Sequence, residues 1–532
     1  MTAQVAVVGG GLAGITAALR CADAGYSVRL YESRPWLGGL THSFRRGELW
    51  VDNGQHVFLR CCERYLALLD RLGMRDSVYL QPRLDIPVSG GGHTGRLKRL
   101  PLPAPLHLSR ALLRYPWLST AARLRFVPAA VALRSVDTTD PRTDATSFGD
   151  WLRAHGQHRD AIDSLWDLVG IATLNARADD VSLALAATVF QVGLLTDSGA
   201  ADIGWSRIPL RQLHGDAGLA ALTAVGVTVI HEKVTGVRRA AGDWVVHTGN
   251  GEYPADAIVS AVPPAATQAL LPAEAVDLPT NWAAALGSSP IVNIHVVYDR
   301  RVMDEPLRAG VGTVVQWVFD RTGASGLRAG PAGGTSTVAA TRADGSTVPC
   351  TARPAGTAPP VDAVPTAISA PEVSDSIPAD AQYLTVSLSA ADEFVDCTAA
   401  GLRREFLPAL EQLLPDARGA RVLDFFVTRE RHATFRPAPG TARLRPPAAT
   451  ALPGLALAGA WTHTGWPATM EGAVRSGESA AAEVISYLAG TGGDGAGGRS
   501  PSDPGGPLGR RGDTAELAVT PQPRTRISEV IR

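Results

Sequence analysis

Residues 4–8, QVAVV, place four consecutive apolar residues after Gln4, which predicts a short buried strand. A glycine-rich turn follows, and then ITAALRCADAG, a helical pattern with Gly25 as its expected stop. SVRLYE, residues 27–32, predicts a second strand ending in an acid. In 61–73, CCERYLALLDRLG, Tyr65, Leu68, Leu69 and Leu72 share one face of an amphipathic helix that ends at Gly73. Helical patterns recur over 147–170 and, after a polar break at 175–180, to 195, with Asp180 or Ser182 placed to cap the second. Residues 214–230 predict a helix and a strand, and 228–262 returns to a β pattern that ends in DAIVSAVPP. Strands are expected at 290–298, 313–319 and 383–389, and a strand–loop–helix over 454–485.

Two stretches break this order. Residues 324–379 and the tail from about 490 are rich in Gly, Ala, Pro, Thr and Ser and poor in large apolar side chains. The first predicts a flexible insertion and the second a disordered tail. They hold much of the excess of Gly (55) and Pro (38), together about 17% of 532 residues against about 12% on average. At this length more than one hydrophobic core is expected. Apolar residues at 45% and charged residues at 19% exclude a wholly disordered chain or a coiled coil.

A formal net charge of -1 provides no bulk positive field, so no nucleic-acid partner is expected. The five cysteines are odd in number and contain no CxxC pair, which argues against a zinc site or a disulfide framework and for a reducing compartment. No metal is expected. The opening MTAQVAVVGGG has no signal-peptide pattern, and no run of 18 uncharged apolar residues suits a spanning helix. The expected location is the cytoplasm, with the inner membrane face as an extension of it. That extension comes from residues 100–134, where Leu, Ala, Val, Trp and Phe alternate with Arg110, Arg114, Arg123, Arg125 and Arg134 and acids are absent. Pro116 and Pro128 are expected to break this stretch into short helices. Such helices suit peripheral contact with an anionic bilayer, or simply cover an apolar cavity.

The chemistry begins at the first turn. Gly9-x-Gly11-x-x-Gly14 between a strand and a helix fits the dinucleotide fingerprint. Gly9 permits the turn, Gly11 admits a pyrophosphate, and Gly14 allows close helix packing. Leu12 and Ala13 open the helix whose free N–H groups face the phosphates. Glu32, 18 residues beyond Gly14, stands where a ribose acceptor is expected. Two further matches, at Gly90/Gly92/Gly95 and Gly493/Gly495/Gly498, carry no weight, the first for want of a flanking buried strand and helix. The motif alone leaves NAD and FAD open. Ser33 and Arg34 follow the acid, and Gly38-Gly39 then brings a second glycine pair toward the nucleotide. This pattern resembles the FAD-binding half of the flavin amine oxidase and carotenoid desaturase superfamily. A single well-framed fingerprint favours one flavin over a flavin plus a nicotinamide domain.

Asp52-Asn53-Gly54-Gln55-His56 interrupts a strand-like pattern, either as a pocket wall or as a surface turn. At the other end, Gly459 closes a strand and Thr469-Met470 begins a helix whose N-terminus suits the pyrimidine end of a flavin. Glu471 in its first turn serves that end or merely stabilises the helix. The chain is similar to the squalene-associated FAD-dependent desaturases of hopanoid clusters, the hydroxysqualene dehydroxylases. The resemblance rests on VVGGGLAGITAAL, LYESRPWLGG, VDNGQHVFL, LPAPLHLSRALLR, TLNARADDVS and GWPATMEGAVRSGESAA, and runs to about residue 488. One departure is Gly459-Ala460, where that family usually has Gly-Asp.

The resemblance implies an α/β fold, a Rossmann-like FAD-binding domain interleaved with a mixed-sheet and helical substrate domain. The expected division is FAD domain at 1–80, 214–270 and 431–488, substrate domain at 81–213 and 271–430, and tail at 489–532. Implied FAD contacts are Gly9, Gly11, Leu12, Ala13, Gly14, Glu32, Ser33, Arg34, Gly38, Gly39, Gly54, Val234, Gly459, Thr469 and Met470. The implied reaction is hydride delivery from reduced flavin to hydroxysqualene, giving squalene, with His56 and Asp52 as acid candidates and Trp166, Trp205 or Phe190 near developing positive charge. The substrate is an apolar isoprenoid, and a place beside the hydroxysqualene-forming synthase goes with it. No residue pattern names an electron donor. Oxidative desaturation of a C30 or C40 polyene uses the same geometry in reverse. An amine oxidase and a non-catalytic lipid carrier complete the alternatives.

Overall fold

A computed structural model of the chain describes residues 2–240, 243–327 and 377–493. Five short strands form a parallel sheet in the order Thr228–Ile230, Ser27–Tyr31, Gln4–Val8, Ala257–Ser260 and Leu455–Leu457. Gln4–Val8 takes the centre because Val5 and Val7 on one face and Ala6 and Val8 on the other are all buried. A strand with no polar face belongs between two covering layers. On one side the helix Leu12–Asp23 and the C-terminal helix Met470–Gly493 cross closely. A Cβ at Gly477 would lie 2.3 Å from the Ala13 carbonyl oxygen, so this crossing requires glycine. On the other side a three-stranded antiparallel sheet, Val234–Ala240, Asp243–Thr248 and Gly251–Ala255, contributes Val237, Trp244 and Val246 to a shared core.

The larger sheet has seven strands, in the order Val422–Phe435, Ser288–Tyr298, Gln382–Leu388, Trp317–Asp320, Leu307–Gly310, Asp85–Gly90 and His93–Lys98. Its neighbours are antiparallel except Leu307–Gly310 with Asp85–Gly90. The period of two along Ser288–Tyr298 separates two roles. Val292, Ile294 and Val296 face Leu402, Phe406 and Leu410 of the helix Ala399–Leu413 in an apolar core. The alternate positions Asn293 and His295 are also buried but polar, and they turn toward the hairpin Ser43–Arg46/Leu49–Asp52. The chain thus visits the parallel sheet, leaves for the mixed one and returns, which is the α/β arrangement the sequence implies.

Several local expectations are corrected. Pro116 does separate two helices, but Pro128 lies inside the helix Thr120–Arg134, which Ser119 caps by accepting from the Ala122 amide. The strand Leu307–Gly310 was not foreseen. Gly90 does follow a buried strand, Asp85–Gly90, contrary to expectation. That strand leads into an antiparallel partner and not a helix, so this glycine match makes a hairpin. Ser182, not Asp180, caps the helix Leu183–Phe190. The last helix runs to Gly493, beyond the boundary expected near 488. The expected insertion over 324–379 falls outside the described residues except at its ends, and the tail from 494 also lies outside them. Among the described residues no helix is long and apolar enough to cross a membrane.

Candidate functional site

The carboxyl ends of the parallel strands meet at one edge, where the glycine-rich turn sits. Gly9 has φ +107°, a left-handed conformation that favours glycine, and its amide donates to the Tyr31 carbonyl at 2.8 Å. A Cβ at Gly14 would come 1.8 Å from the Gly9 carbonyl oxygen, so the turn and the helix start exclude each other's side chains. The need for glycine at 14 therefore comes first from the turn itself, more than from the sheet. Gly14→Ala is expected to cost about 1–3 kcal/mol through this overlap and to lower flavin content, read as the ratio of flavin to protein absorbance after purification.

Gly11 differs. A Cβ there would meet nothing nearer than the Gly39 Cα at 3.7 Å, which is ordinary contact. The bare backbone leaves room for a ligand phosphate beside the N-terminus of a twelve-residue helix. Leu12 and Ala13 are buried in its first turn. The second glycine pair lies against the first. The Gly38 amide donates to the Gly10 carbonyl at 2.9 Å, and a Cβ at Gly39 would stand 2.9 Å from the Gly11 Cα. Glu32 joins these parts, accepting from the Gly10 amide at 2.8 Å, the Arg34 amide at 2.9 Å and the Ser33 hydroxyl at 3.2 Å. Val234 is buried beside Val8 and Tyr31.

The Asp52–His56 segment is a wall and not a hairpin turn. Leu49–Asp52 pairs with Ser43–Arg46, whereas Val57–Leu59 pairs with Ile203–Ser206, so the segment passes between two sheets. Asn53 pins it: its amide donates to the Leu40 carbonyl (2.9 Å) and Glu430 (3.0 Å), and its Oδ1 accepts from the His42 amide (3.2 Å). Gly54 is buried, and a Cβ there would lie 3.4 Å from Asn293 Nδ2. Asn293 also accepts from the Gln55 amide at 3.3 Å. Gly54, Gln55, Asp52, His295, Arg321 and Tyr383 line a small polar cavity at this wall.

Both acid candidates are shaped by what surrounds them. Asp52 is fixed by Arg321 Nη2 at 2.6 Å, the Ser43 hydroxyl at 2.6 Å and the Leu210 amide at 3.1 Å. Burial lowers the His56 pKa to about 4, only partly offset by the Asp52 charge, so the imidazole is neutral near pH 7. His56 keeps some accessible surface although it lies deep in the protein, because the wall borders open space. His295, stacked on Phe426 at 4.5 Å and bonded to the Tyr383 hydroxyl at 2.7 Å, is pushed by burial to about 3. Of the aromatic candidates, Trp205 pairs directly with Val57 beside the wall. Trp166 and Phe190 instead pack 5.1 Å apart in an interior cluster, with Trp166 Nε1 bonded to Gln157.

The C-terminal motif closes the edge. Gly459 has φ +137°, and a Cβ would meet Trp461 Nε1 at 2.3 Å. Arg445, which the sequence reading missed, is buried under the following loop and donates to the carbonyls of Ala460, Trp461, Thr462 and Trp466 at 2.6–3.3 Å. Burial lowers its pKa to about 10. Thr469 caps the final helix by accepting from the Gly472 amide at 3.1 Å, and Met470 packs at its start against the core around Val474. Glu471 is fully buried and turns away from any ligand. It accepts from the amides of Tyr65 (2.7 Å) and Arg64 (3.3 Å) and from Arg475 (2.7 Å), and so caps the helix Glu63–Arg71.

The residues fit a flavin dinucleotide. Gly11 offers an unfilled cradle, and Ser260 Oγ, at the carboxyl end of its strand, and Trp36 Nε1 are buried without a hydrogen-bond partner. Gly9, Gly11 and Gly38–Gly39 would hold the pyrophosphate, Glu32 the ribose, and the Gly54 wall with the Thr469 helix start the ring system. Among the described residues no group of His, Cys, Asp and Glu side chains is arranged for a metal.

The comparisons agree with this geometry. The model of the family described as flavin containing amine oxidoreductase matches residues 12–485. Zeta-carotene desaturase of Zea mays is 34% identical over 199 residues, 35% of each chain, so the match takes in about a third of the plant enzyme. Zeta-carotene desaturase of Synechocystis sp. is 24% identical over 91% of this chain and 98% of its own. Hydroxysqualene dehydroxylase of Rhodopseudomonas palustris is 27% identical over 91% of this chain and 99% of its own. The solved cyclohexylamine oxidase of Brevibacterium oxydans superposes with a TM-score of 0.61 at 18% identity, over 92% of this chain and 100% of that one, and shares the fold. The chain belongs to the flavin-containing amine oxidoreductase family, and it is an FAD-dependent oxidoreductase with a Rossmann-type parallel sheet and a larger mixed sheet.

Proposed function

We propose that this protein is a desaturase or dehydrogenase of a long isoprenoid chain, working in the oxidative direction. The carrying observation is the make-up of the wall, an Asp52 enclosed by protein donors beside imidazoles that burial disfavours as cations. Asp52 is engaged by Arg321, and burial lowers His56 and His295 so that both imidazoles are neutral near pH 7 and neither is a ready acid. Bound FAD supplies the hydride acceptor. Loss of a hydride from the chain leaves a cationic carbon whose neighbouring C–H is strongly acidic. Even a weak base such as His56 then takes that proton and completes the double bond. Asp52 would steady the positive charge that His56 gains, and Trp205, whose strand pairs with Val57 beside the wall, would support the cation. Similarity to zeta-carotene desaturases supports the substrate class.

Reductive dehydroxylation of hydroxysqualene is the second reading. It is favoured by 27% identity over nearly the whole length of the Rhodopseudomonas enzyme, above the 24% for the Synechocystis desaturase. It requires a proton at the departing oxygen, for which the neutral imidazoles of His56 and His295 are poor sources. Product analysis by mass spectrometry separates the two. Oxidised holoprotein with a C30 or C40 polyene should yield a product two mass units lighter as the flavin bleaches. Squalene formed from hydroxysqualene by reduced holoprotein, with the polyenes untouched, would establish the second reading instead. His56→Gln should slow formation of the desaturated product in a single turnover about 100-fold. An unchanged rate would remove His56 from the chemistry.

A further inference from the structure

The five arginines and absent acids of residues 100–134 acquire a shape in the folded chain. The helix Thr120–Arg134 turns Ala129, Ala130 and Leu133 into the core. Its outer face leaves Leu124, Val127 and Val131 at 72%, 58% and 55% exposure. At 100° per residue these three fall within about 60° of one another, with Arg125 and Arg134 on opposite flanks of the stripe. The stretch leading into it adds Leu102, Leu106 and Leu113, at 40%, 58% and 68% exposure. Six of the ten large apolar side chains exposed among the described residues therefore come from this one segment. Arg110, Arg114 and Arg134 are exposed beside them, and the segment itself contains no acid to pair with them.

We infer that this face docks on the surface of an anionic lipid bilayer, with Leu124, Val127 and Val131 at the acyl boundary and the arginines among the headgroups. An apolar stripe with cationic flanks needs a partner that is apolar in depth and negative at its surface, and a bilayer is both. The inner side of the same segment supports this orientation. Leu108, Leu112, Trp117 and Phe126 pack on the apolar cluster that contains Leu165 and Ile203 and reaches Val57 and Trp205. Val57 directly follows His56, so one apolar cluster connects the inner side of the docking segment with the wall of the candidate site. The docking itself does not rest on the substrate assignment, and its test needs no turnover.

Full-length holoprotein is mixed with vesicles of phosphatidylcholine alone or with phosphatidylglycerol, and the bound fraction is measured by flotation. The expected result is binding to the anionic vesicles that weakens with salt. Leu124→Ser/Val127→Ser/Val131→Ser should weaken it about tenfold or more, and Arg110→Glu/Arg114→Glu/Arg134→Glu similarly, with flavin absorbance and melting temperature retained. A wild type that ignores anionic vesicles overturns the inference, as does a serine variant that binds like wild type. Conversion of a wild-type dimer to a monomer by the serine substitutions, without vesicle binding by either, would make this face a contact between two copies and overturn it equally.

Discussion

Between pH 7 and pH 5 the folded state is expected to lose about 5 kcal/mol of stability relative to the unfolded chain. The cause is three histidines held neutral in the interior. Burial lowers His56 to about 4 and His214 and His295 to about 3. In the unfolded chain each would titrate near about 6.5. The unfolded state therefore binds protons first as pH falls. The contribution is fully present above the unfolded value and is lost as pH drops toward 4 and then 3. Each group changes stability by about 1.4 kcal/mol per pH unit inside that window. The check is the shift in urea unfolding midpoint between the two pH values. His295→Gln should remove about a third of the shift whatever it does to stability at pH 7. The same shift in wild type and variant would show that these imidazoles are not the titrating groups.

The second large effect belongs to Glu471. Its carboxylate is fully buried and receives two helical amides and the Arg475 guanidinium. Glu471→Ala leaves all three donors without their acceptor and is expected to cost about 3–5 kcal/mol. Glu471→Gln keeps one acceptor oxygen and should cost clearly less. Thermal unfolding of the three proteins at pH 7 gives the order wild type, Gln, Ala. Loss of flavin ahead of global unfolding in the Ala variant would fit the position of Glu471 at the start of the helix that closes the nucleotide edge.

The nucleotide half of this fold was legible because its constraints are local. Gly9, Gly11, Gly14 and Glu32 lie within one strand–turn–helix–strand, and each has a steric or hydrogen-bonding reason visible in the spacing. Parts assembled from distant segments were not legible. Arg445 reads as a surface arginine in RLRPP until the 460–466 carbonyls close over it. Asp52 and His56 stand out as polar residues amid apolar flanks, but the Arg321 partner of Asp52 and the burial that keeps His56 neutral are not visible in sequence spacing. Glu471 looked like a residue of its own helix, whereas its partners at Arg64 and Tyr65 lie some 400 residues earlier. The Pro128 expectation failed because the helix from Thr120 absorbs the missing N–H at its solvent-facing side, where Pro128 is exposed.

The parallel sheet also sets an order of events during biosynthesis. Among the described residues, its edge strand, Leu455–Leu457, and the helix whose Gly477 seats on Ala13 are the last to be made, whereas the fingerprint turn is among the first. A ribosome-bound chain thus exposes a nucleotide turn with no floor for the flavin ring, and long-range closure of this kind is slow. Cofactor capture then reports completion of synthesis, and a chain released short of residue 455 would carry the signature of a flavoprotein without the means to retain a flavin.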